Sequence, residues 1–475
     1  MGSIQNNKRA LLLGLVLVLV LVLLAAVLAV SRCAKEAKPE KGEYPFSIAI
    51  TFGDDPATQK NFSWLTELKN EGSVVEYYID DGSTPDFTRK DVQHAEGFSQ
   101  RFDTFIPKEG SENKAGAALD PVTYMRHGVY ISGLEPNTKY VYRVGDGKYF
   151  SEAATFITAP QETLSGGNSF SFLIVEDTQG FIQNDFALWG GVFKKALEEY
   201  PDVSFMAHIG DFTERQENAL SWRQYFGLAP GLGNITTVPV EGNKDDETFL
   251  TYFLLGTQGG VTGLNGYYSF DYMGVHFSVV NTRDGDKDLS KAQLKWLRND
   301  LASDNAQSAF YRLVLIHKAP YSDRNHADDS EIVAIRGQLL PVFEEYGVDV
   351  VIEGHDHFYF RSEPVYQNGS QTAEYSLKTI TVNDDEVTLY CPASGNSSLG
   401  GVFYFMPGAS GVKQHDGNFR EMPEIIAAHS ELMTSPTFCI CSITEERIIF
   451  VTKAFNRYSG KLTTVECWGI ERTED

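Results

Sequence analysis

The sequence predicts a three-part chain: an apolar N-terminal anchor, a β-sandwich, and a layered α/β domain with mixed sheets. Three observations carry this prediction. Residues 10–30 contain no charge, and residues 44–160 hold short strand-like runs without a long helical period. From Ser169 onward, continuous apolar strands alternate with helices, which is typical of layered α/β folds.

Residues 1–43 are predicted to be a cytoplasmic stub, a transmembrane signal anchor and a charged tether. A helix needs about 20 apolar residues to span a bilayer, and residues 10–30 supply that length. Lys8 and Arg9 precede the apolar run, which favours a cytoplasmic N-terminus and an extracytoplasmic remainder. The expected location is the cell membrane, with a single span. Cleavage near Ser31, followed by secretion, is the alternative.

Residues 44–160 are predicted to form a small β-sandwich. Their strand-like runs are rich in β-branched and aromatic residues and are separated by Gly, Asp, Asn and Pro. The polar, glycine-rich stretch 161–169 is predicted to be a linker. We expect the sandwich to space and brace the domain that follows.

Residues 168–475 are predicted to form the α/β domain, and hairpin-like strand pairs in its middle make the predicted sheets mixed. Residues 364–400 are rich in polar residues and glycine and are predicted to be an insertion. Strands return near the C-terminus. Either Cys439 or Cys441 could pair with Cys467, and the sequence leaves both pairings open.

The charge balance excludes one class of partner. Lys+Arg number 40 against 64 Asp+Glu, which gives a formal net charge of −24. A surface this acidic repels polyanions, so no nucleic-acid partner is expected. A small anionic substrate then needs a local positive centre, which a bound metal ion can supply.

Polar side chains follow five successive strands of the α/β domain. Ligands of open α/β sheets bind at the carboxyl ends of strands, so these positions are candidate ligands. Singly, each has an ordinary explanation as a helix cap, a turn residue or a core histidine. Jointly they form a pattern of metal-binding residue types. They are Asp177, Asp211, Asn243, His317, His355 and His357.

These residue types fit a pair of metal ions. Two ions about 3.5–4 Å apart need one bridging carboxylate and separate nitrogen and oxygen ligands for each ion. Imidazole, carboxylate and amide oxygen suit Zn, Mn or Fe, and no thiolate is needed. The sequence therefore predicts a dinuclear site whose metals are Fe, Mn or Zn.

The order Asp … Gly-Asp … Gly-Asn … His … Gly-His-x-His resembles the signature of the metallophosphoesterase superfamily. The stretches "LIHKAPY", "GHDHFYFR" and "RHGVYISGLEPNTKYVYRVGDG" resemble its purple acid phosphatase-like branch, which carries an N-terminal fibronectin type III-like domain. The resemblance covers about residues 44–470. It implies that Asp177 and His357 bind the first metal, that Asp211 bridges, and that Asn243, His317 and His355 bind the second.

The resemblance implies a metal-dependent phosphoric ester hydrolase of the acid phosphatase type. In that family a metal-bound hydroxide attacks phosphorus, and a histidine protonates the leaving oxygen. The leading hypothesis is an extracytoplasmic phosphatase that acts on small phosphomonoesters. A phosphodiesterase or nucleotidase of the same fold is the first alternative. A degenerate phosphatase that serves as a surface binding module is the second.

Two positions depart from the family pattern. Purple enzymes carry Tyr where this chain has Glu214, so a ferric first site is not expected. Glu214 is expected to be solvated, and a metal ligand is the alternative. The family carries His where this chain has Lys244. Lys244 is a candidate catalytic residue, because a fixed cation can hold a phosphate oxygen and stabilise the charged transition state. Loss of the histidine favours substrates with good leaving groups, such as diesters of phenols or pyrophosphates.

Further residues receive roles from their positions. His326 resembles a second substrate-side histidine and is a candidate catalytic proton donor; the alternative is a surface-loop residue. His208, near the Gly-Asp motif, is predicted to orient a metal ligand. Asp245 and Asp246 are expected to be solvated or to pair with Lys244.

Overall fold

The structure is a computed structural model, and it describes residues 44–68, 71–245, 248–256, 265–285, 287–323, 325–366, 371–393, 399–413, 426–429 and 435–472. The predicted stub, anchor and tether at 1–43 lie outside these ranges, as do Cys33 and Asp246. Among the helices of the described ranges, none combines the length and the apolar character that a bilayer span requires.

The first part of the described chain is a β-sandwich of two antiparallel four-stranded sheets. Its strands are β1 (Phe46–Phe52), β2 (Gln59–Glu67), β3 (Val74–Ile79), β4 (Gln93–Glu96), β5 (Phe98–Pro107), β6 (Leu119–Ser132), β7 (Lys139–Gly145) and β8 (Ala154–Ile157). Their order is β1-β2-β6-β5 in one sheet and β4-β3-β7-β8 in the other. Phe62, Tyr142 and Phe156 pack together between the sheets. The predicted sandwich is confirmed.

The second part contains two larger sheets. Its strands are β9 (Ser169–Val175), β10 (Met206–His208), β11 (Thr237–Pro239), β12 (Tyr268–Tyr272), β13 (Val275–Val280), β14 (Tyr311–Lys318), β15 (Val350–Gly354), β16 (Tyr359–Ser362), β17 (Val365–Tyr366), β18 (Gln371–Thr372), β19 (Tyr375–Val382), β20 (Asp385–Pro392), β21 (Phe403–Pro407), β22 (Ile426–His429), β23 (Thr437–Thr444), β24 (Arg447–Phe455) and β25 (Leu462–Glu471). Its helices are α1 (Gln183–Glu199), α2 (Ala219–Gly227), α3 (Phe249–Tyr252), α4 (Lys291–Leu301), α5 (Asp304–Ser308) and α6 (Ser330–Tyr346).

The two large sheets are mixed and pack face to face. One has the order β11-β10-β9-β23-β24-β25-β20-β19, and the other has the order β12-β13-β14-β15-β21-β16-β22. Phe172 of β9 meets Phe277 of β13 with ring centroids 5.6 Å apart, and Phe405 of β21 meets Phe450 of β24 at 5.0 Å. Trp189 of α1 is buried near β10, while α4 and α6 pack on the second sheet. This layering confirms the predicted α/β domain with mixed sheets.

The predicted insertion at 364–400 is partly sheet. Strands β19 and β20 form an antiparallel hairpin, and β20 pairs in parallel with β25. The hairpin therefore extends the first large sheet rather than forming a separate appendage. Most of the exposed positions of β19 are polar, although Leu377 is exposed too, and this polarity explains why the sequence pattern resembles a loop.

Neither of the two possible disulfides forms: Cys439, Cys441 and Cys467 are free and buried. Cys439 and Cys441 lie on β23, whereas Cys467 lies on β25, and β24 pairs with both strands between them. Two strand spacings amount to about 9.5 Å. A disulfide joins Cα atoms at most about 7 Å apart, so the topology prevents either bond.

The sandwich is hydrogen bonded to the α/β domain along β2. Ser63 Oγ donates to the Tyr252 carbonyl at 2.6 Å, and Asn61 Nδ2 donates to the Leu254 carbonyl at 3.2 Å. All of these groups are buried. This contact is of the kind expected for a bracing domain.

Lys60, also on β2, is completely buried at the same contact. Its Nζ donates to Thr236 Oγ1 at 3.0 Å and to the Ile157 carbonyl at 3.2 Å, and it lies 4.5 Å from the centroid of the Phe52 ring. These contacts of Lys60 with the described residues include no carboxylate. Burial accordingly lowers the pKa of Lys60 from 10.5 to about 7.

We expect Lys60→Met to stabilise the protein near pH 7. The folded pKa of about 7 lies below the unfolded value of 10.5, so between these values the unfolded chain binds a proton that the folded chain lacks. The free energy of unfolding of the wild type therefore rises with pH across this window. Methionine removes that penalty but forfeits two hydrogen bonds, which leaves a net gain of about 2 kcal/mol.

Thermal unfolding of wild type and Lys60→Met across this pH window measures the effect. The exposed Lys90→Met, in the same sandwich, is the matched control and should change little. A lower melting temperature for Lys60→Met at pH 7 contradicts the argument.

Candidate metal centre

The strands that precede the candidate ligands end at one edge of the α/β domain. β9, β10 and β11 are parallel neighbours in the first sheet, and β14 and β15 are parallel neighbours in the second. Their carboxyl ends meet because the two sheets pack face to face. The Asp177 N–H donates to the Gly210 carbonyl at 3.1 Å, which joins the first two of these strand ends.

Asp177, Asp211 and His317 form the centre of the site. One potential ligand atom from each lies within 4.8 Å of the others, and all three side chains are buried. Asp211 Oδ1 is 3.4 Å from His317 Nε2, and Asn243 Oδ1 is 3.0 Å from the same nitrogen. His357 Nε2 is 3.2 Å from Asp177 Oδ1.

His355 completes the set of six predicted ligands. Its backbone N–H donates to Asp177 Oδ2 at 2.8 Å, and its ring centroid lies 5.2 Å from that of His317. The structure therefore brings all six sequence-predicted ligands together, three from each large sheet. Asp177, Asp211 and Asn243 follow β9 to β11, and the histidines belong to the second sheet or follow it.

The orientation of His317 tests whether the site suits a metal. Its Nδ1–H donates to the buried Ile209 carbonyl at 2.8 Å. Nε2 then faces Asn243 Oδ1 at 3.0 Å and Asp211 Oδ1 at 3.4 Å. A ring nitrogen, an amide oxygen and a carboxylate oxygen that converge in this way are ligands that metal ions accept. The donor set fits a metal.

The directions of the pKa shifts at the site also agree with a site for a metal ion. Burial lowers the pKa of His355 well below its usual value, which keeps the imidazole in its neutral, metal-binding form. Burial raises the pKa of Asp211, although His317 acts in the opposite direction. Burial opposes ionisation of Asp177 too, but its contacts with His357 outweigh burial and hold the pKa below its usual value. Buried carboxylates this close together are stabilised by a cation.

The backbone is strained where the ligands sit. Positive φ angles occur at Asp177 (48°), Asp211 (56°), His355 (79°) and His357 (63°). This region is uncommon for residues other than glycine, and such strain concentrates at functional sites. Gly210 also has a positive φ, 84°, and a side chain there would collide with the His317 ring.

Asp245 differs from its prediction because it is buried rather than solvated. Its carboxylate accepts backbone N–H groups of Gly242 at 2.7 Å, Asp211 at 2.8 Å and Phe212 at 2.9 Å. It therefore ties the turn after β10 to the turn after β11. An aspartate in a polar turn is ordinarily exposed, and no local signal identifies these distant donors.

Glu214 also differs from its prediction, since its side chain is 15% exposed and ion-paired. Its Oε1 lies 3.7 Å from Lys244 Nζ, and its Oε2 binds Lys413 Nζ directly. Lys244 lies at the site, and its N–H donates to Asp211 Oδ1 at 2.8 Å. The sequence did not identify Lys413, because no motif surrounds it.

His326 lies beside the candidate second-metal ligands. Its ring centroid is 4.6 Å from that of His355, and its Nδ1 is 2.7 Å from Asp329 Oδ2. Its Nε2 lies 3.9 Å from Asp356 Oδ1. The ring is partly exposed, so a substrate can reach it.

His208 contacts Thr178 and Phe212, the residues that follow Asp177 and Asp211. Its Nε2 is hydrogen bonded to Thr178 Oγ1 at 3.2 Å, and its ring stacks on Phe212 at 3.7 Å. Burial lowers the pKa of His208 to about 3, so the ring is neutral. This hydrogen bond reaches the residue after Asp177 rather than a candidate ligand itself, which makes an orienting role indirect.

Known families match both parts of the chain. The family described as "Purple acid Phosphatase, N-terminal domain" matches residues 45–158, and the family described as "Calcineurin-like phosphoesterase" matches residues 172–359. The first match gives the sandwich a family without reference to fibronectin, so the fibronectin type III-like description stays a prediction.

Individual relatives agree with these matches. Purple acid phosphatase 22 of Arabidopsis thaliana is 28% identical over 246 residues, covering 51% of this chain and 55% of that protein. "Probable inactive purple acid phosphatase 1" of the same plant is 24% identical over 342 residues, covering 65% of this chain and 54% of that protein. This chain therefore spans about half the length of these curated relatives.

A solved structure shares the fold. The purple acid phosphatase from yellow lupin (Lupinus luteus) seeds superimposes with a TM-score of 0.69 at 16% identity, covering 90% of this chain and 75% of that one.

Proposed function

We propose that this chain, which belongs to the purple acid phosphatase-like branch of the metallophosphoesterase superfamily, is a two-metal phosphatase that hydrolyses small phosphomonoesters outside the cytoplasm. The observation that supports this most is the His317 Nε2 atom, which faces the oxygens of Asp211 and Asn243. Asp177 and His357 would hold the first metal, and His317, His355 and Asn243 the second, with Asp211 between them. Metal ions bound there would polarise the phosphate and acidify water.

Two residues of the chain would act on the substrate itself. Lys244 would hold a phosphate oxygen as a fixed cation. His326 would protonate the leaving oxygen through Nε2, while Asp329 accepts the proton of Nδ1 at 2.7 Å and fixes the ring. The partly exposed position of His326 suits this role, because the leaving group departs toward solvent.

One assay separates this function from its alternatives. The full chain is purified, its metal content is measured, and a phosphomonoester and a phosphodiester are tested in the same sample with Mn, Zn and Fe. Two metals with monoester turnover support the proposal. Diester turnover alone favours the phosphodiesterase or nucleotidase. Bound metal without turnover favours the surface binding module, and absence of metal overturns the central argument.

We expect Lys244→His to lower kcat/KM for a phosphomonoester about tenfold, because the imidazole is shorter and only partly charged at neutral pH. Steady-state kinetics at constant metal content measure the change. Lys244→Arg, which keeps the charge, should lose less. A gain in monoester turnover by Lys244→His means that the lysine is a handicap and contradicts its proposed role.

We expect the effect of His326→Gln to depend on the leaving group. For an alkyl phosphate, whose leaving oxygen needs a proton, kcat should fall about 100-fold. For p-nitrophenyl phosphate, whose leaving group departs as an anion, the loss should be several times smaller. His94→Gln, an exposed histidine of the sandwich, is the control. Equal losses for both substrates exclude the proton-donor role.

A further inference from the structure

Lys244 and Glu214, the two residues that depart from the family pattern, contact each other, and Glu214 also contacts Lys413. The Glu214 carboxylate lies between two ammonium groups, 3.7 Å from Lys244 Nζ and in direct contact with Lys413 Nζ. Two cations and one carboxylate carry a net charge of about +1 beside the candidate ligands. The chain as a whole carries −24, so cations that face the site matter for an anionic substrate.

Lys413 lies near the site because the segment that precedes it packs against the loop that carries Asp177. The Ser410 N–H donates to the Glu176 carbonyl at 2.7 Å. A side chain at Gly411 would collide with the Thr178 carbonyl, so only glycine permits this approach. Lys413 therefore leaves the segment next to the candidate metal centre rather than in open solvent.

The two lysines are held differently. Lys413 is bound tightly by Glu214, its Nζ lies 5.4 Å from the centroid of the Phe181 ring, and its side chain is 26% exposed. Lys244 is 38% exposed and has the longer contact with the same carboxylate. Lys413 is thus the more closely held of the two cations, and Lys244 is the more exposed one.

We infer that Lys413 is a substrate-binding residue that forms a cation pair with Lys244 for a phosphate dianion, and that Glu214 is the positioning residue of the pair. This inference rests on the proposed phosphatase function and deepens it. A second cation attracts a phosphomonoester dianion more than a phosphodiester monoanion, because the attraction scales with the product of the charges. The pair therefore selects monoesters, contrary to the expectation that loss of the histidine favours diesters.

Lys413→Gln tests the cation pair. We expect the variant to raise KM for a phosphomonoester about tenfold and to raise KM for a phosphodiester less than about threefold. The affinity of the metal-free full chain for inorganic phosphate, measured by calorimetry, should fall by a similar factor of about ten. Lys413→Arg should restore most of both. Lys378→Gln is the control, because Lys378 of β19 likewise pairs with a carboxylate, that of Glu471 of β25, at 3.0 Å.

Glu214→Gln tests positioning. Removing the carboxylate leaves two uncompensated cations that are no longer held, so KM for the monoester should fall while kcat also falls. A purely structural role would raise KM or leave it unchanged. Equal losses of Lys413→Gln on both esters, or unchanged phosphate affinity, overturn the inference. If the wild type hydrolyses neither ester, the phosphatase function fails, and the phosphate affinity of the metal-free chain still decides whether the cation pair exists.

Discussion

Asp211→Asn is expected to prevent binding of both metal ions and to lower phosphomonoester turnover about 1000-fold or more. In the structure Asp211 Oδ1 faces His317 Nε2 and receives the Lys244 N–H, while Oδ2 receives the side-chain amide of Gln179. An asparagine offers one neutral oxygen, so it cannot bridge two cations with a charge. The NH2 group would also oppose one of the present donors.

The same substitution should not destabilise the metal-free protein. Burial raises the pKa of Asp211, which means that its charged form is unfavourable when no cation is present. A neutral amide removes that cost, which offsets the opposition between its NH2 group and one of the present donors. We therefore expect the metal-free melting temperature to stay equal or to rise, and the increase on adding metal to disappear.

Metal content and thermal unfolding, measured with and without Mn or Zn, check both parts. The exposed Asp202→Asn, which makes the same change on the surface, should behave as wild type. If Asp211→Asn still binds two metal ions, Asp211 does not bridge them.

The positions of the candidate ligands could be predicted because each lies near the end of a strand. A strand fixes where its next residue lies, and parallel neighbours bring their ends to one edge. Asp177, Asp211 and Asn243 follow three adjacent parallel strands of one sheet, whereas His317 lies in β14 and His355 follows the neighbouring β15 of the other. Local sequence and sheet topology therefore point to the same site.

The residues around the ligands could not be predicted in the same way. Lys413 contacts Glu214 across 199 positions, and Asp245 binds N–H groups more than 30 positions away. Such contacts depend on how loops cross after the sheets have packed, which no local period encodes. The sequence pattern also did not anticipate strands β4 and β5, because their side chains are mostly polar and exposed.

Asp245→Ala is expected to lower the free energy of unfolding of the metal-free protein by about 3 kcal/mol. The carboxylate accepts three backbone N–H groups, of Gly242, Asp211 and Phe212, and all three would lose their acceptor. Each unpaired buried donor costs about 1–3 kcal/mol. Relief of the repulsion between the buried Asp245 and Asp211 carboxylates offsets part of the sum.

This variant should also lose metal affinity, although Asp245 is not a candidate ligand. Without its three hydrogen bonds, the turns that present Asp211 and Asn243 are no longer joined, and a ligand displaced by a fraction of an ångström binds metal poorly. Urea unfolding of the metal-free chain and metal content are the two measurements, with the exposed Asp202→Ala as the control. Asp211→Asn should lose metal and keep its metal-free stability, whereas Asp245→Ala should lose both. If Asp245→Ala unfolds at the wild-type urea concentration, its carboxylate does not hold the two turns together.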